Sequence, residues 1–199
     1  MSSEAFVHPS ALVEQGAILG ANCKVWHFCH IRSQASLGDS VIVGRNVYIG
    51  NGVSVGSRSK IQNNASIYEP SQIGEGVFVG PHVIFTNDRQ PRAVNIDLSQ
   101  KESKDWSIVG VVVEQGASIG AGAICVGPVT IGKWGMVAAG SVVIRDVPAF
   151  ALVAGVPAKR IRWVGKSGFS LIPMGTDLYE CPVTGEKYKQ LSETELTPL

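Results

Sequence analysis

One apolar residue returns every six positions, without a miss, from Val7 through Val13, Leu19, Val25, Ile31, Leu37, Val43, Ile49, Val55, Ile61, Ile67, Ile73 and Val79 to Phe85. With 45% of the chain apolar, a run this long arises by chance on the order of 1 time in 10⁵, so it is a built repeat. A helix does not explain it, because 3.6 residues per turn carries successive apolar positions around the cylinder. Short strands do. A second inward candidate, usually small, precedes each large one by two residues, as in Cys23, Cys29, Ala35, Ser59, Ala65 and Ser71. That spacing fits a strand, and the frequent Gly and Asn between fit a tight turn in every repeat. The ladder resumes at Val113, Ile119, Cys125, Ile131, Val137, Val143 and Ala149, in a register displaced by four residues.

The break is the informative part. Regularity stops within His82 to Arg92, HVIFTNDRQPR, and the displaced register implies an inserted loop of about eighteen residues, roughly 89–106. Loops of that length are usually functional or disordered. RQPRAVNIDLSQKESKDW carries both signs of charge, which favours a folded arm over a solvated charge block. A repeat interrupted once, in its middle, suggests a scaffold with one site.

Totals narrow the classes. A chain of 199 residues with a formal charge of +1 has room for one domain and an appendage, and has no overall field to hold nucleic acid or an anionic membrane. The start, MSSEAFVHPS, lacks the order of a signal peptide, and no apolar run is long enough to span a bilayer; a cytoplasmic protein is expected. Cys23, Cys29, Cys125 and Cys181 form no CxxC pair, so reduced, buried thiols are expected rather than zinc or disulfides.

The ladder from Val7 to about Arg162 resembles the hexapeptide-repeat acyltransferase family. The resemblance implies an all-β fold, a left-handed parallel β-helix of eighteen-residue triangular coils, with domain limits of 1–163 for the helix and 164–199 for a tail bearing a short hairpin. Three strands per coil and left-handedness come from the resemblance; general crossover chirality favours the other hand. Family members are homotrimers with active sites between subunits. AGVPAK, in AGVPAKRIRWVGK, is similar to the close of CoA-dependent members, where basic residues meet CoA phosphates. It makes acetyl-CoA the expected cosubstrate and Lys159 and Arg160 its contacts, although the same cluster reads equally as a solvated closing segment. KIQNNASIYE and FTNDRQPR resemble N-acetyltransferases of nucleotide-linked amino sugars, nearest to those acetylating the 3-amino group of UDP-2-acetamido-3-amino-2,3-dideoxy-D-glucuronate for bacterial surface polysaccharide. Relatives acting on dTDP-3-amino-3,6-dideoxyhexoses or UDP-4-amino sugars stay open.

Stacking at eighteen residues maps the candidates. Tyr68 and Glu69 fall under Thr86 and Asn87, above Gly50 and Asn51, then Arg32 and Ser33, bringing an acid, a phenol, an amide and a guanidinium to one corner below the loop. Asn46, Asn64 and His82 form a second column, read either as left-handed turn residues with stacked amides or as ligand contacts. A neutral amine is already nucleophilic, so the protein has chiefly to orient it. Asn87 is expected to accept an amine N–H, His82 to remove the proton, and Glu69 or Asp88 to relay it or bind hydroxyls. Arg32, Lys60 or Arg92 would pair with a carboxylate or diphosphate. Gln62, Asn63, Asn64, Tyr68, Phe85 and Thr86 complete the expected acceptor contacts, and Ala139 and Gly140 allow close approach of the pantetheine arm.

His27 and His30 invite a metal reading, but they sit at different phases of one hexad and no third His stacks with them, so no metal is expected. In the tail, CPVTG resembles a zinc knuckle lacking its second cysteine; a hairpin turning at Thr184-Gly185 is expected, with SETELTPL mobile. Two other functions remain in view. An acyl-carrier-protein-dependent acyltransferase is disfavoured by AGVPAK, and a non-catalytic β-helical scaffold is disfavoured by the mid-ladder loop.

Overall fold

The structure, a computed structural model, describes residues 4–199; Met1 to Ser3, the start of the segment read against a signal peptide, lie outside them. Two-residue strands separated by turns wind into a left-handed parallel β-helix. Its first face is a nine-stranded sheet, its second has seven strands and its third six. Phe6–Val7, Leu12–Val13 and Ile18–Leu19 open the three faces in that order. Each strand pairs in parallel with the one a coil later, so Val7 faces Val25, Val13 faces Ile31 and Leu19 faces Leu37.

The inward set is the sequence ladder. From Val25 to Phe85 the sixth residues are at most 3% exposed, as are Cys23, Cys29, Ala35, Val41 and the other small residues two places before. Burial of two side chains per short strand holds the coil closed. Some small positions also bond to backbone: Cys23 donates to Gly38 O at 3.0 Å, Cys29 to Gly44 O at 2.8 Å and Ser59 to Gly74 O at 2.9 Å. All four cysteines are buried and unpaired. Turn residues such as Asn22, Asn46, Asn64 and His82 take φ between 55 and 62°, where Asn and Gly are favoured.

Two expectations about the ladder are corrected. Ile73 pairs with Val113, 40 residues on, where lower coils step by 18, so the insertion is 22 residues. The chain leaves the ladder after Thr86 and rejoins it at Val111. At the top, Val147 bridges Ile131 and Val153 pairs with Val137, each 16 residues apart. This shortened coil buries Val147, and Ala149 is only partly covered. Ala151–Gly155 then adds one more parallel strand before turning through Val156-Pro157 into antiparallel Ala158–Trp163.

The tail is larger and firmer than a hairpin. Ile172–Gly175, Leu178–Glu180, Lys187–Ser192 and Glu195–Pro198 form a four-stranded antiparallel sheet. The last residues, expected to be mobile, supply its edge strand. Trp163, Leu171, Cys181, Tyr188 and Leu196 join the core of the helix, with the Tyr188 ring 5.4 Å from Phe150.

Candidate active site

Three edges separate the faces, and the candidates divide between two of them. Residues 8–11, 26–29, 44–47, 62–65, 80–83, 120–123 and 138–141 form the first edge, between the first and second faces. Residues 14–17, 32–35, 50–53 and 68–71 form the second, where the inserted loop also emerges.

On the second edge the stacking map holds. Ile67 pairs with Phe85, which sets Tyr68 beneath Thr86 and Glu69 beneath Asn87. The Tyr48 and Tyr68 rings lie 5.2 Å apart, and Arg32 Nη1 donates to Tyr48 Oη at 3.3 Å. Arg32 is already matched: its Nε lies 2.7 Å from Glu14 Oε1, as does His30 Nε2. Ser33 N–H donates to Glu14 Oε2 at 2.8 Å. That backbone donor first, then His30 and Arg32, hold the Glu14 carboxyl down to about 2. Glu69 Oε2 is buried with no hydrogen-bond partner among the described residues, beside Gly50, where an added Cβ would clash with it. A lone buried carboxylate oxygen is costly.

The loop is a folded arm. Val109 N–H bonds to Asn87 O at 3.0 Å and closes its base. Val94 bridges Gln100, and Asn95 Nδ2 donates to Asp105 Oδ2 at 3.2 Å. Asp88, Arg89, Gln90, Lys101, Asp105 and Trp106 line a cavity of about 370 Å³ under it, while Ile96 at its tip is fully exposed. Asp88 caps Gln90 N–H at 2.8 Å, and Arg92 bonds only its neighbour Pro91 O among the described residues. Thr86 Oγ1 accepts from Gly127 N–H at 3.3 Å. Phe85 is 0% exposed; it belongs to the coil interior and cannot touch a substrate.

The first edge carries the other candidates. Asn46 Nδ2 donates to Asn64 Oδ1 at 3.0 Å, and Asn64 Nδ2 lies 3.2 Å from His82 Nε2. With the amides so assigned, Nε2 is the acceptor and the ring proton sits on Nδ1. The turn reading of this column holds, with left-handed turns and a bonded ladder ending on an exposed imidazole. Ala139 and Gly140 turn the same edge two coils above His82, Gly140 at φ +69° with nothing within 4 Å of an added Cβ. Ser141 Oγ accepts from Gly155 N–H at 3.2 Å and ties the Pro157 hairpin over that turn. Lys159 and Arg160 line a cavity of about 270 Å³ with Arg145, which the sequence reading missed. Arg160 is partly engaged, 4.3 Å over the Trp163 ring and bonded to Glu193 O at 3.0 Å. Lys60 points outward from the first face and, like Gln62 and Asn63, flanks the first edge.

His82 and Asn87 are thus on different edges, separated by the strand Ile84–Thr86. Five residues of extended chain span roughly 16 Å. A single chain brings Glu69 and Asn87 to one place and His82 to another.

Comparison with known proteins agrees with this architecture. The family model for bacterial transferase hexapeptide (six repeats) matches residues 52–87, and that for the hexapeptide repeat of succinyl-transferase matches 34–69. The dTDP-3-amino-3,6-dideoxy-alpha-D-galactopyranose 3-N-acetyltransferase of Aneurinibacillus thermoaerophilus is 42% identical over 158 residues, 79% of this chain and 78% of its own. A 2,3,4,5-tetrahydropyridine-2,6-dicarboxylate N-acetyltransferase of Clostridium perfringens is 53% identical over 53 residues, but the match spans only 22% of its length. Among solved structures, the acetyltransferase domain of PglB from Neisseria gonorrhoeae superposes with TM-score 0.52 at 22% identity, over 80% of this chain and 58% of that one. A variant of AntD, an N-acyltransferase from Bacillus cereus in complex with dTDP and coenzyme A, gives TM-score 0.50 at 17% identity over 82% of both; these two likenesses show the fold. The chain belongs to the hexapeptide-repeat acyltransferase family, as an N-acetyltransferase.

Proposed function

We propose that the protein transfers the acetyl group of acetyl-CoA to the 3-amino group of a nucleotide-linked amino sugar, in a homotrimer whose sites lie between copies, in the cytoplasm. The observation that carries the oligomeric part is the division of His82 and Asn87 between two edges. A threefold arrangement sets the first edge of one copy against the second edge of the next, which reunites them. The exposed Ile96 tip of the folded arm suits a contact with that neighbour.

In the reaction the amine lone pair attacks the thioester carbonyl carbon, the tetrahedral intermediate expels the CoA sulfur, and the nitrogen sheds one proton. Asn87 Oδ1 receives an N–H and aims the nitrogen. His82 takes the proton at Nε2, displacing the Asn64 donor, and passes it to the departing thiolate. Glu69 binds a sugar hydroxyl, which would satisfy its orphaned oxygen. On the donor side, Ala139 and Gly140 lie along the pantetheine arm while Lys159, Arg160 and Arg145 meet the phosphates.

Two acceptors fit the class. The substrate for which the Aneurinibacillus relative is named, a dTDP-linked 3-amino-3,6-dideoxyhexose, supports a sugar with no charge at C6. A UDP-linked 3-amino uronate for surface polysaccharide requires a free cation there. Arg32 is matched by Glu14, leaving Lys60 or Arg92 for that role. Thiol release from acetyl-CoA, read with both sugars and with a 4-amino isomer, decides: turnover confined to 3-amino sugars supports the proposal, and preference for a 4-amino sugar or for an acyl-carrier-protein donor refutes it.

A further inference from the structure

Below His82 on the first edge lies a groove that the catalytic residues do not use. It has a volume of about 300 Å³ and is lined by Trp26, His27, Ile42, Gly44, Arg45, Gln62 and Asn63, with no carboxylate among them. Trp26 is 39% exposed and its ring is supported by neighbours, 5.4 Å from Phe6 and parallel within 7° to His27 at 6.2 Å, which itself stacks on His8 at 3.5 Å. A partly exposed indole supported in this way is a stacking platform.

Charge surrounds that platform. Ile42, at the groove floor, has Lys24 and Lys60 as its cross-strand neighbours on the outer surface of the first face. Arg45 stands at the corner beside them. Among the described residues none of these three cations takes part in an ion pair, although Arg32, Arg58, Lys104 and Lys166 all do. The Gln62 amide has no intramolecular partner among the described residues, and Asn63 spends only its oxygen, on Arg45 N–H at 2.9 Å. An aromatic plate, three unpaired cations and free amide groups together match a base, a diphosphate and the imide edge of a pyrimidine.

Resting on the acceptor class proposed above, we infer that this groove seats the nucleoside diphosphate of the acceptor, with the pyrimidine on Trp26, its imide edge on Gln62 and Asn63, and the diphosphate on Arg45, Lys24 and Lys60. The position is consistent with the chemistry. His27 lies three coils below the His82 turn, about 14 Å at 4.8 Å per coil, a span that a diphosphate and one sugar ring bridge. The acceptor then enters from the lower coils and acetyl-CoA from the upper ones, meeting at His82.

Calorimetric titration of the intact protein with UDP, dTDP, GDP and inorganic pyrophosphate tests this. UDP or dTDP binds more tightly than GDP; Trp26→Ala weakens the pyrimidine nucleotides tenfold or more, and Trp26→Phe restores them. Arg45→Ala weakens nucleotide and pyrophosphate by the same factor. No binding of any nucleotide to the wild-type protein, unchanged affinity in Trp26→Ala, or a preference for GDP overturns the assignment. The acceptor reading is judged separately by thiol release. Turnover of a nucleotide-linked amino sugar whose KM is unmoved by Trp26→Ala sinks the groove alone. Trp26-dependent nucleotide binding without turnover sinks the acceptor reading alone.

Discussion

Asn64 is the middle rung of the bonded column that ends on His82, and removing its amide separates a turn role from a catalytic one. Asn64 accepts from Asn46 at 3.0 Å and lies 3.2 Å from His82 Nε2, at a backbone φ of 62°. Asn64→Ala loses both bonds, each worth about 0.5–1.5 kcal/mol at most on an exposed edge. It also sets a Cβ residue in the left-handed region without the local bonding that favours Asn, costing about 1 kcal/mol more. Asn64→Gly loses the same bonds with no strain at that φ. The Ala variant is therefore expected to be less stable than the Gly variant by about 1 kcal/mol in urea denaturation. Because the Asn64 donor occupies Nε2 and has to leave before that nitrogen takes the proton, both should gain in kcat, by up to roughly tenfold, the worth of one hydrogen bond of about 1.4 kcal/mol. The assay is thiol release at saturating acetyl-CoA and acceptor. An unchanged or lowered kcat in Asn64→Gly would refute proton transfer to an Nε2 freed from Asn64 and leave the column to shape the turn.

Three further outcomes are expected. Phe85→Ala should cost about 3–5 kcal/mol of stability and leave the acceptor KM of the folded fraction unchanged; a raised KM with normal stability would return Phe85 to the binding surface. The Glu14 carboxyl has a folded value near 2 against an ordinary 4.5, so its stabilising contribution is complete above about 4.5 and is lost as pH falls toward 2. Glu14→Gln should flatten the acid limb of the stability curve in that window, and an unchanged limb measured by circular dichroism would remove the Glu14 cluster from the account. Replacing Lys159 and Arg160 with Ala should weaken CoA more than dephospho-CoA; equal losses would mean that the cluster does not meet the 3′-phosphate.

Much of the helix was legible because burial is periodic. The same hexad phase that lists Phe85 among the inward residues also argued against its role as a ligand contact; similarity of the segment FTNDRQPR marks a neighbourhood and says nothing of which way a side chain faces. Eighteen residues is four short: a displacement of four allows an insertion of 16 or 22 but not of 18, and the pairing of Ile73 with Val113, 40 residues apart, selects 22. Val147 replaces Ala149 because the last coil is two residues shorter than the rest, a change no period announces. Glu69 and Asn87 stack as their spacing requires. His82 does not join them, since position within the eighteen-residue coil assigns a residue to an edge, and its edge is the other one. Trp26 and Arg45 left a weaker trace: both sit at turn positions, where the sequence alone gives aromatic and basic residues no stated partner.

The central claim is that the chemistry needs an edge from each of two copies, and mixing inactive variants tests it. His82→Ala and Asn87→Ala, each expected to be nearly inactive, are unfolded together, refolded in equal amounts and assayed for thiol release. Random association places an intact His82 edge against an intact Asn87 edge in about a quarter of interfaces, so about a quarter of wild-type activity should return. Activity in the mixture no higher than in the parents, or a parent that keeps wild-type turnover, would contradict a site shared between copies.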